Sequence, residues 1–188
     1  SNSVLSMLYA VDGKAISRAN TTDKLAPELE ALPALGQTAN INMEQLLGLK
    51  PDVVLGLVNQ HKKYESQLQA NNIPTVLFDY DGIKDNVPML TFLGELTNHQ
   101  DKAKSVITTY ESNITKVKDA VKNQQPVRVA VLRATGKGVT AETDAAITAS
   151  MVKDLGMTNV VSSHLDKTTT DKTVPYSLET LAADDPDI

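Results

Sequence analysis

The sequence predicts an α/β protein made of two lobes, each with a parallel sheet, and three features carry this prediction. Apolar segments of strand length alternate with helical segments. One helical stretch is unusually long, and a short pattern from the first half of the chain returns near its end. The 188 residues, 41% hydrophobic and 22% charged, have the composition of a folded globular protein.

Three short apolar segments are predicted to be buried strands, at 53–58, 75–78 and 127–132. A polar helix is predicted over 62–71, between the first two strands, and a helical segment over 4–9 opens the chain. This order of strand, helix and strand indicates βαβ units.

A long helical region is predicted from 83 to 123, where apolar residues recur at helical spacing. Thr97 or Asn98 is predicted to cap the second helix of this region. That helix would have about 25 residues and a length of about 37 Å at 1.5 Å per residue. We interpret it as the connection between two lobes, and a crossover helix packed on one lobe is the alternative.

A repeated pattern supports two similar lobes. Glu44 and the Pro-Asp pair at 51–52 recur as Glu179 and the Pro-Asp pair at 186–187, so corresponding positions lie 135 apart (44 to 179, 52 to 187). Both copies predict a short helix, a turn and the start of a strand. The second copy stops at Ile188, where its strand begins, so we expect a truncated C-terminal lobe. The predicted division is an N-terminal α/β lobe at 1–96, an interlobe helix at 97–125 and a partial C-terminal α/β lobe at 126–188.

Composition excludes several functions. The net charge is −5 and the charged residues are interspersed, so no basic surface is expected to bind nucleic acid. No apolar run approaches the roughly 20 residues of a membrane span. The absence of cysteine excludes disulfides and thiolate metal sites. His99 and His164 lack partners at metal-ligand spacing, so we expect no metal site formed by the protein itself.

One pattern points toward an enzyme. Residues 136–141 satisfy the G-x-G-x-x-A form of the dinucleotide fingerprint, but the acidic residue expected at the end of the next strand is missing. No nucleophile elbow, zinc-protease motif or Walker loop is present. We therefore expect no catalytic residues and no enzyme activity, and a nucleotide-dependent oxidoreductase is the alternative from a different class.

Several motifs carry a resemblance to a known family across nearly the whole chain. The matching segments are 32–36, 42–54, 72–76, 93–97, 102–103, 155–160 and 176–179. In this order and spacing they resemble the class III substrate-binding proteins of ABC importers for siderophores, haem and vitamin B12, in particular the iron-compound branch. The resemblance implies a chelatase-like periplasmic binding fold, with two Rossmann-like lobes joined by one long helix. Family members usually begin with a strand before the first helix. The N-terminal lobe is therefore expected to be truncated here, as well as the C-terminal lobe.

The resemblance also implies a role in transport. The protein would capture an iron chelate, most simply a ferric siderophore, and deliver it to an ABC permease dimer. A haem- or cobalamin-binding member is the alternative within the family. We expect a monomer without a cofactor of its own, its ligand being a ferric chelate or haem. Its location would be extracytoplasmic, either in the periplasm or lipid-anchored at the outer face of the cytoplasmic membrane.

Two acidic residues are the predicted contacts with the permease. By motif match, Glu44 and Glu179 would each meet a permease arginine. The alternative is that both merely place a negative charge near a helix N-terminus, which is favourable by itself.

The predicted ligand-binding residues follow the strands, because ligands of open α/β sheets bind beyond the carboxyl ends of the strands. They are Arg18, Asn59, Gln60, His61, Tyr80, Arg133, Thr135 and Lys137. Arg18, Arg133 and Lys137 suit an anionic chelate or propionate groups. Tyr80 or His61 would pack on the ligand or bind its iron. The alternative for each residue is an ordinary solvated loop position.

Overall fold

A computed structural model describes residues 1–136, 138–165 and 169–188 and contains the predicted alternation of strands and helices. The helices are α1 (Asn2–Ala10), α2 (Pro27–Glu30), α3 (Met43–Gly48), α4 (Val58–His61), α5 (Glu65–Ala70), α6 (Asn86–Leu96), α7 (Gln100–Val121), α8 (Ile147–Asp154) and α9 (Leu178–Asp184). The strands are β1 (Arg18–Asn20), β2 (Ala34–Gln37), β3 (Asn40–Ile41), β4 (Val54–Leu57), β5 (Thr75–Phe78), β6 (Arg128–Val129), β7 (Leu132–Thr135), β8 (Gly138–Glu142), β9 (Thr158–Asn159) and β10 (Thr173–Pro175). Short 3₁₀ turns occupy Lys62–Tyr64, Ile83–Asp85 and Val160–His164.

The chain divides into two compact units. Unit 1 consists of residues 1–80 and 87–108, and unit 2 of residues 81–86 and 109–188. The long helix α7 has 22 residues and contributes its first part to unit 1 and its remainder to unit 2. The predicted lobe boundaries stay a prediction.

The sheets of unit 1 contain two parallel pairs, as βαβ units require, and one antiparallel pair. β1 pairs in parallel with β2, β2 pairs antiparallel with β3, and β4 pairs in parallel with β5. The predicted strand at 75–78 has the observed bounds of β5. The predicted strand at 53–58 is one residue too long at each end, since β4 begins at Val54 and helix α4 already begins at Val58.

The core of unit 1 joins helix α1 to α6 and the first part of α7. Leu8, Val11, Leu90, Leu93 and Ala103 form one buried cluster, in which Val11 and Leu93 are fully inaccessible. In α6 the buried residues fall at 89, 90, 93 and 94, which is the three- and four-residue spacing of one helix face.

The boundary between α6 and α7 differs from the prediction. Asn98 has a left-handed conformation (φ 58°) and donates its N–H to Glu95 O (3.2 Å), while His99 N–H reaches Gly94 O (2.7 Å). This pair of bonds is a Schellman motif, in which asparagine is tolerated at the left-handed position. The predicted capping of the second helix by Asn98 or Thr97 is therefore wrong, since these residues end α6.

Unit 2 combines a parallel pair with an antiparallel sheet. β6 pairs in parallel with β9, whereas β8 lies between β7 and β10, antiparallel to both. The prediction of one continuous strand at 127–132 is wrong, because this segment contributes to two separate strands, β6 and β7. Its two halves have different partners, because Ala130 N–H donates to Ile188 O (2.9 Å) while Val131 O accepts from Glu142 N–H (2.8 Å).

Within the described residues, the helices fall short of the combined length and apolarity needed to cross a bilayer.

Candidate functional site

The two copies of the sequence repeat have the same local structure. Asn42 caps α3 by accepting the N–H of Gln45 (3.1 Å), and Ser177 caps α9 by accepting the N–H of Thr180 (3.0 Å). Glu44 and Glu179 occupy the second position of their helices, and both are exposed. Each unit therefore presents one carboxylate from the first turn of a capped helix.

The equivalence of the two copies continues beyond the helices. Lys50 and Asp185, which also lie 135 positions apart, both have a left-handed backbone (φ 48° and 42°). Each is followed by Pro-Asp and by a segment that pairs with a strand. In unit 1 this segment is β4, and in unit 2 Ile188 O accepts a hydrogen bond from Ala130 N–H (2.9 Å). The repeat therefore has a structural basis in both units, and the permease-docking role of its glutamates stays a prediction.

In unit 1, predicted ligand residues meet at the carboxyl ends of β4 and β5. The register pairs Leu57 with Phe78, so the segments that follow the two strands leave the same edge of the sheet. Asn59 is exposed there, whereas Gln60 and Tyr80 are partly buried. The Oε1 atom of Gln60 is buried and has no hydrogen-bond partner among the described residues.

His61 lies in the same region, but its side chain points into unit 1. It is buried, and its Nδ1 atom lies 2.9 Å from the N–H of Leu57, which it can accept, and 3.2 Å from Leu57 O. The ring also bonds to the backbone of Thr38. Burial lowers the pKa of His61, so the neutral imidazole is favoured.

Arg18 begins strand β1, where its guanidinium binds the end of a short helix. Its Nε donates to Leu29 O (2.9 Å) and its NH2 group to Glu30 O (3.3 Å), both at the end of α2. Leu29 O also accepts the N–H of Leu32 (3.3 Å), and Glu30 O belongs to the last residue of the helix, where carbonyls lack intrahelical partners. The guanidinium therefore has a structural task, and its role as an anion-binding group stays a prediction.

Arg133 and Thr135 lie on a strand rather than in the predicted loop. β7 and β8 form an antiparallel hairpin, in which Thr135 pairs with Gly138. Lys137 lies outside the described residues. Gly136 follows β7 and Gly138 begins β8, so the two glycines lie between paired antiparallel strands and not at the strand-to-helix turn that dinucleotide binding requires.

Arg133 contacts a buried carboxylate. Its NH2 group lies 3.1 Å from Oε1 of Glu142, whose side chain is only 7% exposed, whereas the Arg133 side chain is 61% exposed. The other carboxylate oxygen, Oε2, is buried without a partner among the described residues. Glu142 therefore binds one nitrogen of the guanidinium, while the Arg133 side chain stays largely exposed.

A polar pocket in unit 2 contains residues that the sequence patterns did not identify. Its volume is about 470 Å³, and its lining includes Asp81, Lys84, Asp144, Asp154 and Lys172. Lys172 Nζ lies 2.9 Å from Asp81 Oδ1, and this contact lowers the pKa of the Asp81 carboxyl. The pocket offers charges of both signs to a small polar ligand. Lys172 follows a threonine-rich stretch without apolar periodicity, so no pattern marked it.

A buried carboxylate stabilises the end of unit 2. Asp184, at the end of α9, accepts hydrogen bonds from Tyr176 OH and contacts Nε2 of His164. The hydrogen bond from Tyr176 lowers the pKa of Asp184, and the His164 contact adds to this effect. Burial, followed by the bond to Asp184, raises the pKa of Tyr176 to about 12.

The raised pKa of Tyr176 predicts a loss of stability at alkaline pH. The phenol has a pKa of 10.0 when unperturbed and about 12 in the folded protein, so its contribution is complete below pH 10 and is lost as the pH rises toward 12. We expect the free energy of urea unfolding, followed by circular dichroism, to fall less steeply over this range in Tyr176→Phe. The matched variant Tyr9→Phe, in unit 1, should keep the wild-type slope. Equal slopes for wild type and Tyr176→Phe would contradict the assignment.

Two features indicate the class of protein without indicating its ligand. The chain has two α/β units with repeated helix–turn–strand elements, and polar groups lie beyond the carboxyl ends of parallel strands. The family of periplasmic binding proteins matches residues 1–188, and the chain belongs to it. The chain is 26% identical over 129 residues to the vitamin B12-binding protein of Pectobacterium atrosepticum, covering 68% of this chain. It is 29% identical over 113 residues to the probable siderophore-binding lipoprotein YfiY of Bacillus subtilis, covering 59% of this chain.

Solved structures confirm the predicted fold class. The Staphylococcus aureus IsdE structure in complex with heme superposes with a TM-score of 0.79 at 22% identity, covering 97% of this chain and 69% of that one. The fold is thus that of the class III periplasmic binding proteins. The chain spans 46% and 34% of the lengths of the Pectobacterium and Bacillus relatives.

Proposed function

We propose that the full-length protein is the extracytoplasmic substrate-binding component of an ABC importer, which captures a ferric siderophore and delivers it to the permease. The observation that carries this proposal is the family match along the whole chain. The siderophore-binding name of the Bacillus subtilis relative supports the choice of ligand.

The contacts of His61 favour a siderophore over haem. Its Nδ1 accepts a backbone hydrogen bond and its ring bonds to Thr38, so binding of haem iron by a ring nitrogen would displace one of these contacts. A siderophore already supplies the oxygen ligands of its iron, and the protein then needs only to bind the outside of the chelate. This removes the need for a protein ligand to the metal.

Arg133 is suited to such an outer contact. Arginine presents five N–H donors in a planar arrangement, which matches the oxygen atoms of anionic chelates. Because Glu142 binds one side of the guanidinium, its orientation is restricted, and the exposed side remains available.

Delivery requires a contact with the permease, and Glu44 and Glu179 are the proposed anchors. Both are exposed carboxylates on the first turn of a side-chain-capped helix, one in each unit. Their equivalence within the repeat fits a partner built from two permease subunits. We propose that the protein works as a monomer, either in the periplasm or lipid-anchored at the outer face of the cytoplasmic membrane.

A haem-binding role is the second candidate, since the superposed Staphylococcus aureus structure is described as a complex with heme. Such a role would need a tyrosine or histidine bond to iron and would produce a Soret band. Cobalamin is the further ligand named among the relatives.

A ligand panel on the full-length protein tests the proposal. Ferric catecholates, ferric hydroxamates, haem, cobalamin and NAD(P) would each be titrated while thermal unfolding is measured. A ligand at 100 times its Kd adds about 2.7 kcal/mol to the unfolding free energy, so the true ligand should raise the Tm by several degrees. We expect the rise with a ferric siderophore.

The iron-free siderophore is the matched control, and we expect a smaller rise with it. A rise in Tm with haem, together with a Soret band, would identify haem as the ligand and leave the proposed class of protein unchanged. A rise with NAD(P) alone would overturn the transport proposal.

A further inference from the structure

Glu142 is a buried carboxylate beside Arg133, one of the predicted ligand residues. Its side chain is 7% exposed, and Oε1 lies 3.1 Å from the NH2 group of Arg133. Oε2 is buried and has no hydrogen-bond partner among the described residues. A buried charge with a single partner costs free energy, because one contact repays only part of the loss of hydration. Stability alone therefore does not account for this pair.

The sheet of β7, β8 and β10 directs the carboxylate toward the exposed guanidinium. β7 pairs with β8 so that Arg133 lies opposite Thr140. Because side chains alternate between the two faces of a strand, Arg133, Thr140 and Glu142 share one face. Ala141 lies on the other face, in the buried apolar cluster that contains Val160. The face that carries Arg133 and Glu142 is therefore the polar face of this sheet.

The contact changes the charge that Arg133 offers to a ligand. Considered alone, a guanidinium suits an anion. With the Glu142 carboxylate 3.1 Å away, the two opposite charges largely cancel for a ligand that lies farther off than this separation. The N–H donors of the guanidinium remain, and they bind neutral oxygen acceptors as well as anionic ones. The pair therefore provides hydrogen bonds with little net positive charge.

The polar pocket of unit 2 is close to Glu142 and also has balanced charges. Nδ2 of Asn159 donates to Glu142 O (2.9 Å) and to Oδ1 of Asp144 (3.1 Å), and Asp144 lines the pocket. The charged residues of the described lining are three carboxylates and two lysines, namely Asp81, Asp144, Asp154, Lys84 and Lys172. Carboxylates of the same unit therefore offset the positive charges of this pocket too.

We propose that Glu142 is a specificity-determining residue, which limits the negative charge of the chelate that the protein binds. This inference rests on the proposed function, in which Arg133 contacts a ferric siderophore. Three hydroxamate monoanions balance Fe³⁺ and give a neutral chelate, whereas three catecholate dianions leave a trianion. Glu142 repels each charge of the trianion, whereas the oxygen atoms of the neutral chelate accept the Arg133 donors without this repulsion. The preferred ligand is therefore a ferric trihydroxamate.

The variant Glu142→Gln of the full-length protein tests the proposal, because it removes the charge and keeps an oxygen that can accept from Arg133. Ferrichrome and ferrioxamine E are the neutral probes, and ferric enterobactin is the trianionic probe. We expect the wild type to bind at least one neutral probe at least tenfold more tightly than ferric enterobactin. In Glu142→Gln the affinity for ferric enterobactin should rise at least tenfold, while the affinity for the neutral probe changes less than threefold. The matched control is Glu111→Gln, which removes an exposed carboxylate of the same unit and should change neither affinity.

The salt dependence of the wild type covers the case in which Glu142→Gln does not fold. Raising the salt concentration from roughly 0.05 to 0.5 M screens interactions between charges. The affinity of the wild type for the neutral probe should then change less than threefold, and its affinity for ferric enterobactin should not fall.

The possible outcomes separate this proposal from the proposed function. The charge limit would be overturned by a wild type that prefers ferric enterobactin, by an unchanged preference in Glu142→Gln, or by a wild-type affinity for ferric enterobactin that falls at least tenfold with salt. Each of these results would leave the siderophore-binding function in place. Binding of neither class of probe by the wild type would overturn both.

Discussion

Reversing the charge at both Glu44 and Glu179 of the full-length protein is expected to lower ligand uptake at least tenfold without changing ligand affinity. In the proposed complex each carboxylate meets a permease arginine. Replacing it by arginine removes one charge-assisted pair and places two like charges together, and changes to such pairs cost about 2–5 kcal/mol at protein interfaces. Two sites changed together should therefore reduce docking strongly.

The geometry allows this change without loss of folding. Both side chains are exposed, and the caps of their helices come from Asn42 and Ser177, which remain. The remaining cost is the unfavourable placement of a positive charge in the first turn of a helix, typically 0.3–1 kcal/mol. The Tm of the purified variant should therefore fall only slightly.

Uptake of the labelled ligand by cells and ligand affinity of the purified protein are measured together. The matched control is Glu95→Arg with Glu111→Arg, which reverses one exposed carboxylate on each unit away from the repeat. Normal uptake in the Glu44 and Glu179 double variant, or an equal loss in the control, would remove these residues from the docking surface.

The elements that could be predicted from the sequence are those whose pattern is local. β5 matches its predicted bounds, because an apolar run after Pro74 needs no partner to be recognised. The repeat was visible for the same reason, since its glutamate and Pro-Asp turn lie within ten residues. The division of 127–132 into β6 and β7 was not visible, because it depends on partners at Ile188 and Glu142.

The sequence predicted which segments contribute to the candidate site, but not the direction in which their side chains point. The rule that polar residues follow strands located His61 beyond β4, whereas Arg18 begins β1 instead of following a strand. The contacts of these residues with Leu57 and Leu29 exist only in the folded chain. The burial of Asp184 could not be predicted locally, because the partners that make a buried carboxylate tolerable, Tyr176 and His164, come from other segments.

Truncating Leu93 to alanine is expected to lower the free energy of unfolding by about 2–5 kcal/mol, the range for a fully buried leucine. Leu93 is completely inaccessible and lies in the cluster that joins α1, α6 and α7 through Leu8, Val11 and Ala103. Neighbouring Gly94 leaves little freedom for collapse, because a Cβ there would lie 2.4 Å from Cβ of Ala103, so the helices are already in close contact. The space left by the removed part of the Leu93 side chain would therefore stay largely unfilled.

Urea unfolding followed by circular dichroism measures the loss. Leu96→Ala is the matched control on the same helix, since its side chain is 42% exposed, and it should cost less than about 1 kcal/mol. Because α7 belongs partly to each unit, losing its contact with α6 should also affect residues beyond 108. Amide hydrogen exchange of the Leu93→Ala variant tests this expectation. Faster exchange along all of α7 would show that the Leu93 cluster stabilises the whole helix. Faster exchange confined to unit 1 would mean that the second part of α7 is stabilised by unit 2 alone.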